Sequence, residues 1–166
     1  MNPLLLGNAV AMIGCLIMVL IGFLKKKHHI LIAQCIQCVF MGVGNLVLGG
    51  ISGFICNIVT ILRNIVFLRF RNTTAMKIFF IVLQFILSIG TLSAGWISWL
   101  PIVSAALFTW YMDTKSEATL KVVILCTQVM WLIYDLYYLN YVASAFDVMT
   151  FLSNCIGLYW ICKKNK

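Results

Sequence analysis

The chain has 166 residues, of which 63% are hydrophobic and 10% charged, and its mean hydropathy is +1.05. A domain of this length cannot hide so much apolar surface in a soluble core, so a water-soluble fold is excluded. The net charge of +8 is spread over separate short loops rather than gathered into one dense patch, which argues against a nucleic-acid binder.

Taken in chain order, apolar runs fall at roughly 3–24, 30–48, 51–68, 77–94, 97–112, 119–139 and 141–161. Their lengths predict seven transmembrane helices joined by short loops, with no separate soluble domain. Nothing positive precedes the first run, and Lys25, Lys26 and Lys27 follow it. That is the reverse of a secretory signal, so the first helix is expected to remain. The next basic groups are Arg69, Arg71 and Lys77, then Lys115 and Lys121, then Lys163, Lys164 and Lys166. The loops around Gly49–Gly50, Ala94–Trp99 and Asn140–Tyr141 carry no Lys or Arg. The positive-inside rule therefore predicts the N-terminus outside and the C-terminus in the cytoplasm. His28 and His29 read as a solvated turn. The seven cysteines are scattered, and Cys35-x-x-Cys38 on a membrane helix reads as small apolar packing rather than a redox or metal motif.

The sequence echoes itself at an offset of 90. CNIVTILRN (56–64) returns as FDVMTFLSN (146–154), Asn45 meets Asp135, Asn57 meets Asp147, Thr60 meets Thr150, and Asn64 meets Asn154. Polar positions coincide with polar positions. This predicts an all-α integral membrane protein in a 3-1-3 arrangement: a first three-helix repeat over 1–70, a connecting fourth helix over 71–96, and a second, parallel three-helix repeat over 97–166.

Helical spacing sorts the polar residues onto faces. Asn57, Thr60 and Asn64 share a face of the third segment, and Asp147, Thr150 and Asn154 share the matching face of the seventh. Gln34, Gln37, Cys38, Met41 and Asn45 form a stripe on the second, and Thr127, Gln128, Trp131 and Asp135 form one on the sixth. Such seams face inward, because facing lipid is costly. Asp147 has no cation at its depth. Arg63 lies some six residues deeper, about 9 Å at the helical rise, and reads as an anchor that snorkels to the cytoplasmic interface. Asp135 lies near the outer interface, and the tyrosines around it read as an interfacial belt.

The basic turn after the first segment, ILRNIVFLRFR, WLPIVSAALFTWYM, and FLSNCIGLYW with its basic tail resemble the YgjV family of bacterial inner-membrane proteins over nearly the whole chain. That family is similar in turn to the SWEET and PnuC transporters, which share the three-one-three layout. In SWEET proteins a tryptophan and an asparagine from each repeat hold the solute. The resemblance implies that Trp131 with Asp147 or Asn154 fills that role in the second repeat, and Met41 with Asn57 or Asn64 in the first. The Pro-Gln hinge of that group is absent here, and Pro101 has Ala11 opposite it.

The expected function is a small-solute transporter or facilitator with alternating access. Asn57, Asn64, Asp147 and Asn154 stand at the centre of its site, and Gln37, Gln128 and Trp131 line it. A carboxylate among amides points to a polar neutral, zwitterionic or cationic metabolite. The rival is a non-transporting scaffold with dry, hydrogen-bonded seams, each bond worth about 1 kcal/mol. No nucleophile has a base at workable spacing, so no enzyme activity, cofactor or metal is expected. The expected partners are the solute and the bilayer of the bacterial inner membrane, with a homo-oligomer compatible with the pattern.

Overall fold

The computed structural model describes residues 2–21, 27–70 and 73–164, except for the side chains of Lys27, Cys162, Lys164 and residues 92–94. Lys25, Lys26, Arg71 and Lys166 lie outside the described residues. The described chain is all-helical: α1 (Pro3–Ile21), α2 (Lys27–Val47), α3 (Ile51–Arg69), α4 (Thr74–Ser88), a 3-10 segment (Ile89–Ser98), α5 (Trp99–Tyr111), α6 (Glu117–Tyr137) and α7 (Tyr141–Lys164). Six of these stretches are long and apolar enough to cross a membrane. The expected fifth crossing is the exception, because α5 has 13 residues. Gly95 (φ 81°, ψ −158°) breaks the chain before it. Pro101 has no N–H to offer the carbonyl of Ile97, so an α-helix cannot run unbroken through this point.

Side-chain contacts fix the direction of each helix. Tyr134 near the end of α6 meets Ser52 and Gly53 at the start of α3, so those two helices are antiparallel. Arg63 reaches Thr109, and Cys56 reaches the carbonyl of Pro101, so α5 runs alongside α3 in the same sense. Gly7 lies against Leu48 and Gly14 against Met41, which makes α1 and α2 antiparallel. Asn8 accepts from the Val142 N–H, which sets the start of α1 beside the start of α7. Lys77 at the start of α4 forms an ion pair with Asp113, just past the end of α5. Consecutive helices therefore alternate, and α1, α3, α5 and α7 point the same way.

This alternation collects the charges. Among the described residues, Arg69, Lys77, Lys115, Lys121 and Lys163 fall at one end of the bundle, which we call the basic end. The opposite, or turn, end holds the loops after α2 and α6. In the ring order α1–α2–α3–α5–α6–α7 each helix packs on the next, and α7 packs back on α1. α4 lies outside the ring against α3 and α5, where Phe80 packs with Phe67, Val59 and Leu31.

The two loops at the turn end are the same turn. Gly50 N–H donates to the Asn45 carbonyl (2.7 Å) and Asn140 N–H to the Asp135 carbonyl (2.8 Å). Gly49 N–H donates to Leu46 and Leu139 N–H to Leu136, while Phe54 N–H donates to Gly50 and Ser144 N–H to Asn140. The left-handed residue of each turn is Gly49 (φ 85°) and Leu139 (φ 57°). Every one of these positions is displaced by 90 from its counterpart. A leucine in this conformation costs about 1–2 kcal/mol, which the surrounding hydrogen bonds must outweigh.

The starts of α3 and α7 are satisfied differently. Asn140 Oδ1 accepts from the Ala143 N–H (3.4 Å) as an ordinary helix cap. Gly50, in the equivalent place, has no side chain, and the phenol of Tyr134 accepts from the Gly53 N–H (2.8 Å) instead. A Cβ on Gly53 would sit 2.7 Å from the Tyr134 ring and 2.8 Å from the Asn45 amide. Gly53→Ala is therefore expected to lower stability by about 1–3 kcal/mol. Gly90→Ala, where nothing lies within 4 Å, is the control and is expected to be neutral. The thermal unfolding midpoints of the purified variants check this.

Candidate functional site

The helix ring encloses a cavity of about 480 Å³, within the usual range for small-molecule sites. All six ring helices contribute to its wall. Asn57, Asp147, Asn154, Gln37, Gln128 and Trp131 line it. Asn64 does not. It is fully buried beside the cavity, where its amide donates to Gln34 Oε1 (3.3 Å) and its carbonyl accepts from Arg63 Nε (3.3 Å) and Nη2 (3.1 Å).

The lining has an internal order. Asn57 and Asp147, Thr60 and Thr150, Gln37 and Thr127, Cys38 and Gln128, and Met41 and Trp131 are all wall residues. So are Gln34 with Ile124 and Met18 with Phe108. Members of each pair are 90 apart in the sequence.

At the turn end the cavity is closed by polar residues that are 0–1% exposed: Asn45, Tyr134, Asp135 and Asn140. Asn140 Nδ2 bridges Asn45 Oδ1 (3.4 Å) and Asp135 Oδ1 (3.2 Å). Asp135 and Asp147 line the same cavity. Asp147 Oδ2 and Asn45 Nδ2 are buried without a hydrogen-bond partner. The wall residues are half-buried along its length, from Gln34, Phe108, Ile124 and Asn154 toward the basic end to Met41 and Trp131 nearer the turn end.

Two sequence readings are corrected here. Arg63 does not snorkel: it is 3% exposed, it lines the cavity, and Nη1 donates to Thr109 Oγ1 (2.8 Å). The guanidinium lies 5.6 Å from the Phe108 ring centre. Its partners beyond its own helix come from α5, whose apolar sequence shows no polar seam. The sparse signal there is Ser104 and Phe108, one turn apart, both on the cavity wall. Tyr134 turns inward rather than joining the interfacial belt, and Asp135 lies inward with its seam, whereas Tyr137 and Tyr141 stay exposed. A face drawn through Trp131, Tyr134, Asp135 and Tyr138 separates the two sets. Cys35 and Cys38 are free thiols, and the described residues contain no cluster able to hold a metal.

Asn57 and Asn64 stand on one face but have different duties. The Asn57 amide bonds back to the Gly53 carbonyl of its own helix (2.8 Å), whereas Asn64 holds a buried charge. Asn64→Ala is expected to cost about 1.5–3 kcal/mol, and Asn57→Ala less than about 1 kcal/mol. Denaturation of the two variants side by side checks the order.

No curated protein and no solved structure matches the chain. The sequence model of one family does match, over residues 5–165, and its description is bacterial inner membrane protein. With this match and its membrane-length helices, the chain belongs to the Imp-YgjV family of bacterial inner membrane proteins.

Proposed function

We propose that the protein is a small-solute transporter or facilitator that works by alternating access. Its halves, α1–α3 and α5–α7, are parallel repeats joined by α4. The observation that carries this reading is the order of the cavity wall, to which seven pairs of residues 90 apart contribute both members. A site on the axis between two like halves can be exposed to either side by rocking one half against the other. The matched turns at the turn end support the same symmetry.

Under the positive-inside rule the basic end is cytoplasmic, the turn end is external, and seven crossings place the N-terminus outside. The short α5 makes its crossing together with the 3-10 segment. The conformation described is then closed at its outer end by the Asn45–Asn140–Asp135 bridge and Tyr134. The solute is a polar neutral, zwitterionic or cationic metabolite, held among Asn57, Asp147, Asn154, Gln37, Gln128 and Trp131, with Asn64 behind the wall. The reading calls for no catalysis, cofactor or metal.

The dry contacts at Asn64, Gln34 and Thr109 favour a second reading, a non-transporting scaffold. Single cysteines at Asn57, Asp147 and Asn154, in a background without native cysteines, separate the two. A membrane-impermeant thiol reagent is expected to label them quickly from the cytoplasmic side and more slowly from the outside. Protection from both sides would establish the scaffold, and labelling from one side only would remove alternating access.

A further inference from the structure

A buried charge is costly unless it meets an opposite charge. Arg63 meets none among the described residues. Its described hydrogen bonds go to the neutral oxygens of Thr109 and Asn64 and use three of the five N–H donors of a guanidinium. The ion pair present, Lys77 with Asp113, lies elsewhere, and Asp135 and Asp147 belong to the other end of the cavity.

On its α4 side Arg63 borders a crevice of about 10 Å³ that also touches Gln84, whose Oε1 has no partner. That volume suits about one water. A water there would occupy one donor, and Gln84 is neutral, so the charge stays uncompensated. A second cation stands beside the same cavity: Lys121 Nζ donates to Asn154 Oδ1 (3.4 Å), and Asn154 is a wall residue.

We propose that Arg63 is the anion-recognition residue of the cavity, and that the solute carries a carboxylate or phosphate group that seats on its free edge. Asn64 and Thr109 fix the planar fork, which matches either group in a bidentate way. At the far end Asp147 Oδ2 is buried without a partner and offers an acceptor to a donor group such as an ammonium. The two ends narrow the solute to the zwitterionic class, with its anionic group toward the basic end. This rests on the transport reading for the identity of the site, but the anion contact can be measured without transport.

The test is the thermal unfolding midpoint of the full chain in nanodiscs, titrated with inorganic phosphate and separately with succinate. Chloride holds the ionic strength constant. The wild type is expected to gain a saturable upward shift, and the stronger anion names the preferred group. Arg63→Gln is expected to weaken the apparent affinity by at least about tenfold, with Arg63→Lys in between. If Arg63→Gln does not fold, a cysteine at Thr60, a wall residue one turn from Arg63, provides the second measurement: either anion should slow its labelling. Identical titrations in wild type and Arg63→Gln overturn the proposal, as does the absence of both stabilisation and protection. Anion binding with one-sided labelling keeps the site and removes transport. Two-sided labelling without anion binding does the reverse.

Discussion

The contact between Tyr134 and the first turn of α3 is the constraint on which the interior depends. A glycine at position 50 leaves the start of α3 without a side-chain cap, and a glycine at 53 lets the phenol come close enough to supply one. Two helices from different halves are thereby held across the end of the ring. The helix start that needs a partner and the tyrosine that would be costly to bury alone solve one another's problem. Asn45, Asp135 and Asn140 then gather around this joint, and the cavity below inherits its closed end.

The same rule organises the rest of the polar interior. In lipid, a backbone or side-chain group has no water to fall back on, so it pairs within the bundle or faces a cavity. Asn8 satisfies the α7 start, Thr109 and Asn64 satisfy part of Arg63, and Lys121 reaches Asn154. Where pairing stops, at Asp147 Oδ2, the residue stands on the cavity wall.

Much of this was legible in the sequence. Helix positions follow from apolar runs, and the gathering of basic residues at one end follows from their placement in alternate loops. The inward seams of α2, α3, α6 and α7 follow from period, and six of the seven expected site residues fall on one cavity wall. What was not legible depends on contacts between helices distant in sequence. Arg63 could be told from a surface anchor only by knowing that Thr109 and Phe108 stand beside it. Asn64 could be told from a wall residue only by finding Gln34 and Arg63 on either side. Tyr134 looked like its exposed neighbours because position along a helix predicts depth better than it predicts facing. The length of α5 was overread because hydropathy does not register a glycine break and a proline.

That short helix affects the surrounding lipid. Thirteen residues of α5 span about 20 Å at the helical rise, against about 30 Å of hydrocarbon. Trp96 and Trp99, both exposed, mark where the chain regains an interface. On the flank formed by α4 and α5 the apolar belt is carried by α4, whose span is long enough to cross, while α5 reaches the far interface only through the 3-10 segment. Lipid beside that end of α5 meets a glycine-broken stretch of chain rather than a regular helix.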